Sequence, residues 1–176
     1  MTVLAALAFV RPSVPALAID SQASGDWDDG GTWVGGNVPI GTDDVTIKSG
    51  HTVTIRTNGV NVVKSLTIEN TGVLTHLANS TTAAGEKYKV VLNITSNLTI
   101  DLGGQIHADA MGYSGGQGPG GAPGYGNGGS HGGKGGYYSA IAPGPTYGSI
   151  TSPTNLGSGG GQGRASYRGG GAIQLT

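Results

Sequence analysis

The chain has 176 residues, with nine basic against ten acidic side chains and a formal charge of −1, so nothing steers it toward nucleic acid or other polyanions. Charged residues make up only 11 %, which leaves solubility to Ser, Thr, Asn and backbone amides. Cysteine is absent, which excludes disulfides, thiolate metal sites and cysteine nucleophiles.

Residues 1–10 are apolar and too few to span a bilayer. Ala16-Leu17-Ala18 reads as a small-x-small cleavage site, and Pro12 and Pro15 break any helix ahead of it. Residues 1–18 are therefore expected to be the end of an export signal, although the basic residues that usually precede the apolar core are missing. A short helix or strand of the mature fold is the alternative. No other stretch reads as a membrane-crossing helix. A cysteine-free exported chain suits a bacterial source, and the expected location is secreted or cell-surface.

Residues 19–44 read as a cap. Trp27 and Trp33, the chain's two tryptophans, sit directly before a series of repeats, with glycines and Pro39 for irregular chain crossing. Large aromatic area suits a lid over an open end of stacked strands, and a sugar-stacking platform is the competing use. Asp26, Asp28, Asp29, Asp43 and Asp44 offer oxygens to calcium, but not at EF-hand spacing, so solvated turn acids are the plainer reading and no metal is expected.

Residues 45–111 carry the repeats. Val45-Thr46-Ile47, Val53-Thr54-Ile55, Leu66-Thr67-Ile68 and Leu98-Thr99-Ile100 each place two apolar residues on one side of an extended chain and a threonine on the other. Val45 to Leu66 is a step of about 21 residues and Val53 to Val73 one of about 20, as stacked coils of one solenoid require. Leu92-Asn93-Ile94 and Leu98-Thr99-Ile100 read as the next pair, delayed about five residues by an outward loop at residues 79–89. Gln105-Ile106-His107-Ala108 reads as one more strand. Lys48-Ser49-Gly50-His51 and Asn70-Thr71-Gly72 fall at matching places in successive coils. The predicted fold is all-β: a right-handed parallel β-helix with an N-terminal cap and a long glycine-rich loop. An antiparallel β-sandwich joined by hairpins is the alternative.

Residues 112–170 form a glycine-rich insertion. Between Gly112 and Gly171 lie 24 of the chain's 36 glycines, with no Gly-x-y register, so collagen is excluded. A mobile insertion is the compositional default. Six of the seven tyrosines fall here, however, and Tyr113, Tyr125, Tyr137, Tyr138, Tyr147 and Tyr167 are the candidate binding residues, either as anchors of packed glycine chains or as ligand contacts. The strand pattern resumes over residues 171–176. A strand ending there bares an edge, so the chain is expected to be part of a longer rod or to self-associate through that open coil.

The order Trp27, Thr32-Trp33, Val38-Pro39, Asp43-Asp44-Val45-Thr46-Ile47, Gly50, Val53, Leu66-Thr67-Ile68 and Gly72-Val73-Leu74 resembles the start of secreted, pectin-lyase-like right-handed parallel β-helix proteins. It is also similar to the eight-glycine extracellular domain of some hyaluronan-handling and ciliary membrane proteins. The match covers residues 25–77. The later glycine runs resemble segments of large bacterial surface proteins of adhesin type. These resemblances imply an extracellular β-helix and carry over no catalytic residue.

Chemical motifs are sparse. Residues 128–134 match Gly-x4-Gly-Lys, but Gly135 stands where a nucleotide loop has Ser or Thr. Lys134, Arg164 and Arg168 are too few for a nucleic-acid-binding tail. His51, His76, His107 and His131 show no metal spacing. Asp101 and Asp109 with His107 are the one cluster that a β-helix hydrolase or lyase would use, and solvated turns explain them as well. Asn79-Ser80-Thr81, Asn93-Ile94-Thr95 and Asn97-Leu98-Thr99 are glycosylation sequons. The functional expectation is a non-enzymatic, adhesive surface module without a cofactor, binding polysaccharide or a neighbouring surface protein. A β-helix carbohydrate-active enzyme with catalytic coils further on, and a glycine/tyrosine-rich coat subunit, are the alternatives.

Overall fold

The computed structural model describes residues 17–79, 85–138, 140–161 and 167–176. Residues 1–16 of the expected export signal, Ser80 and Thr81 of the first sequon, and Arg164 lie outside them.

The described chain is all-β, with two short 3-10 turns as its only helical structure. Its strands are β1 (Ala18–Asp20), β2 (Gly25–Asp26), β3 (Asp44–Ile47), β4 (Thr52–Ile55), β5 (Asn61–Val63), β6 (Ser65–Ile68), β7 (Val73–His76), β8 (Val90–Ile94), β9 (Leu98–Ile100), β10 (Gln105–Ile106) and β11 (Ile173–Leu175). They form three sheets, in the orders β1-β3-β6-β9, β2-β4-β7-β10 and β5-β8-β11. Every ladder between them is parallel, which is compatible with a β-helix and incompatible with the hairpin-joined sandwich.

The alternation written in the sequence sets the faces. Val45, Ile47, Val53, Ile55, Leu66, Ile68 and Leu74 are buried in one cluster, while the threonines between the β3, β4 and β6 positions face outward. Register then stacks like on like: Val45 on Leu66, Ile47 on Ile68, Thr46 on Thr67 on Thr99. Matching turns close Lys48 to His51, Glu69 to Gly72 and Asp101 to Gly104, each with an i to i+3 amide bond of 2.8–3.0 Å. Each turn needs a left-handed residue, supplied by Gly50, Thr71 and Gly103. Thr71 is the unusual one. Its hydroxyl accepts from the Gly50 amide at 3.0 Å, which holds it there.

Two assignments differ from the sequence expectation. Val53 is registered on Leu74, not Val73, so this column advances by the same step as Val45 to Leu66. Leu92–Ile94 does not follow Leu66–Ile68. It pairs with Asn61–Val63 in a third sheet, and Leu98–Ile100 takes the place beside β6. The Asn61-Val62-Val63 strand was hidden because it has one buried residue and no flanking alternation.

The cap is packed into the core. Trp27 and Trp33 are both buried among the strand residues, edge to face at 5.2 Å between centroids. The Trp33 indole Nε1 donates to the Trp27 carbonyl at 2.8 Å. Neither ring has surface left for stacking a sugar. Asp26 is paired with Arg56 at 2.6 Å, Asp29 accepts from the Gly31 amide, and Asp44 binds Lys64 at 2.8 Å. Among the described residues no group of three His, Asp or Glu side chains is placed to hold a metal ion.

Candidate functional site

The glycine-rich insertion is packed backbone against backbone. Its described segments have no strand or helix, yet they exchange amide bonds across long sequence separations. Gly112 N donates to Gly169 O, Tyr113 N to Gly157 O, Gly159 N to Gln117 O, Ser130 N to Gly120 O and Gly161 N to Asn127 O, all at 2.8–3.0 Å. Chains this close exclude side chains. A Cβ on Gly159 would lie 1.9 Å from Ser114 O, and one on Gly169 would lie 1.9 Å from Gly157 O. Glycine is therefore the contact residue of this block, and its abundance answers to packing.

Polar side chains complete the bonding. Asn127, 2 % exposed, donates from Nδ2 to Ile141 O and accepts at Oδ1 from Tyr138 N, both at 2.8 Å. The buried Ser130 hydroxyl donates to Gly144 O at 2.6 Å, and Ser158 Oγ accepts from Gly120 N at 2.9 Å. The block is tied to the sheets by three groups. The Arg168 guanidinium donates to the carbonyls of Ala110, Asn79 and Gly112 and to Ser114 Oγ. Glu86 Oε1 accepts from Leu156 N at 2.7 Å while its other oxygen pairs with Lys89. His76, fully buried, sits at Nδ1 2.9 Å from Leu77 O and accepts at Nε2 from Ala172 N at 3.3 Å. That pattern requires the neutral ring with its proton on Nδ1, and burial lowers the pKa below the ordinary histidine value.

The six tyrosines divide sharply. Tyr113 is fully buried with Leu156 and Ala172, and burial raises its phenol's pKa. It has no surface to offer a ligand. Tyr147 is half-buried; its hydroxyl donates to Leu156 O and accepts from Ser158 Oγ, and its ring meets His131 edge to face at 4.9 Å. Burial again raises the phenol, against the opposing Ser158 bond. Both are structural anchors. Tyr125, Tyr137, Tyr138 and Tyr167 are at least half exposed. Tyr125 and Tyr167 line one groove of about 350 Å³, with Gly126, Asn127, Gly160 and Gly161 as its floor. Tyr138 packs over Gly126 beside it, and Lys134 lies 5.9 Å from the Tyr137 ring centroid. The structure thus gathers Tyr125, Tyr138 and Tyr167 around the buried Asn127, with Tyr137 next to Tyr138 in the chain.

The remaining motifs dissolve into structure. In residues 128–134 the amides of Gly128 and His131 are bonded to Gly136 O and Gly133 O, so that loop is not open to a phosphate. Arg168, one of the three cations too few for a nucleic-acid-binding tail, directs its donors at the chain itself. Asp101 and Asp109 are exposed, as solvated turn residues would be. The structural roles of Asn127, Glu86, Lys89 and His76 escaped the sequence reading. Asn127 offered only a polar residue between two glycines, and Lys89 one between Tyr88 and Val90, which does not say what either bonds.

Comparison with protein-family models, curated proteins and solved structures returns no match. No described helix is long and apolar enough to cross a membrane.

Proposed function

We propose that this chain is an exported cell-surface or matrix module, non-enzymatic, built on a right-handed parallel β-helix of the pectin-lyase-like kind. The rod holds its glycine-rich block rigid, and the block presents a tyrosine-lined surface to a polysaccharide. Parallel ladders throughout, two of which advance by the same step, Val45 to Leu66 and Val53 to Leu74, with aliphatic residues stacked on one side, support the β-helix. The observation that carries the binding reading is the groove between Tyr125 and Tyr167. It sets two exposed aromatic rings over a floor of Gly126, Asn127, Gly160 and Gly161, and the described lining carries no charge. Flat rings with hydroxyl tips, held on a fixed backbone, suit neutral sugar faces.

The test is a glycan array probed with the whole chain and with a Tyr125→Ala/Tyr167→Ala double variant. Binding to neutral glycans that the double variant loses, with unchanged thermal unfolding, is the expected result. No binding by either protein, or equal binding by both, overturns it.

The last layer of strands favours a second reading, a self-assembling subunit. Leu98 and Ile100 of β9 and Ile173 and Leu175 of β11 are all more than a third exposed along unpaired edges. Concentration-dependent sedimentation of the chain, abolished by Ile100→Lys, would support it; a monomer at all concentrations would refute it.

A further inference from the structure

The export reading places leader cleavage after Ala18, and the geometry around Asp43 moves it. Asp43 is 3 % exposed, yet among the described residues its carboxylate has no cationic partner. Oδ2 accepts from Ile40 N at 2.8 Å and Oδ1 from Leu17 N at 3.3 Å. Buried carboxylates ordinarily have a matching charge, and two amide donors are a thin substitute.

Leu17 is also part of the sheet. Its carbonyl accepts from Asp44 N at 2.9 Å, and Ala18 is registered on Asp44 as the first pair of the β1–β3 ladder. Cleavage after Ala18 would delete both residues. It would strip one donor from Asp43, leave the Asp44 amide without its acceptor and shorten a three-residue edge strand. Cleavage two residues earlier keeps all of these contacts. There Val14-Pro15-Ala16 places Val14 and Ala16 at the small-residue positions before the bond.

We propose that the mature chain begins at Leu17, and that the α-ammonium created there pairs with the buried Asp43 carboxylate. This rests on the reading of residues 1–16 as an export leader. In the step, a leader peptidase adds water across the Ala16–Leu17 peptide bond. Ala16 leaves as a carboxylate and the Leu17 amine takes up a proton. The single Leu17 N–H donor becomes a cation with three donors, beside a carboxylate already oriented by the Ile40 amide. The neighbouring acid does not compete, because Asp44 is engaged by Lys64 at 2.8 Å and by Ser65 at 2.6 Å. Asp43 and Leu17 line one groove of about 470 Å³, so the new terminus and the carboxylate share one open space.

The experiment digests the full chain with a bacterial leader peptidase in phospholipid vesicles and reads the product by intact mass. Loss of residues 1–16 is the expected result. Loss of residues 1–18 overturns this proposal and leaves the export reading standing. No cleavage removes the export reading and this proposal with it. A second measurement then follows the Leu17 α-amine of the processed chain by pH-dependent acylation. An ordinary α-amine titrates near about 7.7–8.0. Pairing with Asp43 raises that by about one unit or more, and Asp43→Asn returns it to the ordinary range. An unshifted amine in the processed wild-type chain refutes the pairing whatever the variant does.

Discussion

Gly159→Ala asks whether the glycine-rich block is a packed body or a slack loop, because the two give opposite signs. In a slack loop, glycine to alanine restricts the unfolded chain and stabilises by about 0.4–1 kcal/mol. In the packed block the new Cβ falls 1.9 Å from Ser114 O and 2.4 Å from its carbonyl carbon. Ordinary contact begins at 3.4 Å, so two backbones must separate by more than an ångström, and no flexible side chain is there to yield. Overpacking of this kind costs about 1–3 kcal/mol. The same shift pulls at two amide bonds, Gly159 N to Gln117 O at 3.0 Å and Ala122 N to Gly159 O at 3.2 Å. Each contributes about 1 kcal/mol. The expected loss is about 3 kcal/mol, or a fall in urea midpoint of roughly 1–2 M at a slope near about 2 kcal/mol/M. Gly133→Ala is the control: it meets nothing within 4 Å and has no left-handed φ, so it should be neutral or slightly stabilising. Urea unfolding followed by tryptophan fluorescence, with amide exchange over residues 112–122, reads both. A Gly159→Ala chain as stable as wild type refutes the packed block.

The neutral His76 makes stability fall with acid. Its folded pKa lies below the unfolded 6.5, so the unfolded chain binds the extra proton and stability is lost as pH drops through about 6.5 toward the folded value. Urea midpoints from pH 8 to 5 should show a slope that His76→Gln reduces; an unchanged slope would exonerate His76. Arg168→Lys keeps the charge but not the planar fork that reaches three carbonyls and Ser114, and should cost about 2 kcal/mol with faster exchange at Gly112 and Tyr113. A variant of wild-type stability would show that the charge alone suffices. Trp33→Phe removes the donor to Trp27 O and leaves a void in the cap, for about 2–3 kcal/mol in thermal or urea unfolding. Unfolding curves that superimpose on those of the wild type would mean that the cap does not seal the core.

Local alternation was enough to read the strands that have it. Val45-Thr46-Ile47 and Leu66-Thr67-Ile68 announce their buried face because the side-chain period is 2. The aligned turns were legible for a similar reason, since Lys48–His51 and Glu69–Gly72 directly follow Ile47 and Ile68, although the left-handed place of Gly50 falls to Thr71 and not to Gly72. What failed was the pairing of columns. A strand such as Asn61–Val63, with one buried side chain, leaves no periodic trace, and without it the third sheet vanished and Leu92–Ile94 was given to the wrong neighbour. The glycine block was illegible for a deeper reason. Its order comes from backbone atoms, which every residue shares, so composition reads the same whether glycines are close-packed or free. Only the isolated polar residues could have hinted at order, because Asn127 and Ser130 must satisfy their groups when buried. The tyrosines were found as a set, but burial alone separates Tyr113 from Tyr125.

The block's attachment explains why a surface carried by glycine can be rigid. The chain leaves the sheets after β10 and returns into β11, and the two passages are bonded to each other: Gly112 N to Gly169 O, Gly169 N to Tyr113 O, and Gly171 N to Ala108 O at 2.7 Å. The insertion is thus closed at its base, and much of its conformational freedom is already lost when β11 docks on β8. Arg168 and His76 sit on that same base, one holding the outgoing carbonyls and the other the Ala172 amide. Beside the groove, Tyr167 O accepts from Gly160 N at 3.0 Å, and Asn127, two residues after Tyr125, is bonded to Tyr138 N and Gly161 N. Little ordering entropy would then oppose the binding proposed for this groove, whereas a mobile loop of the same composition would have to be ordered first.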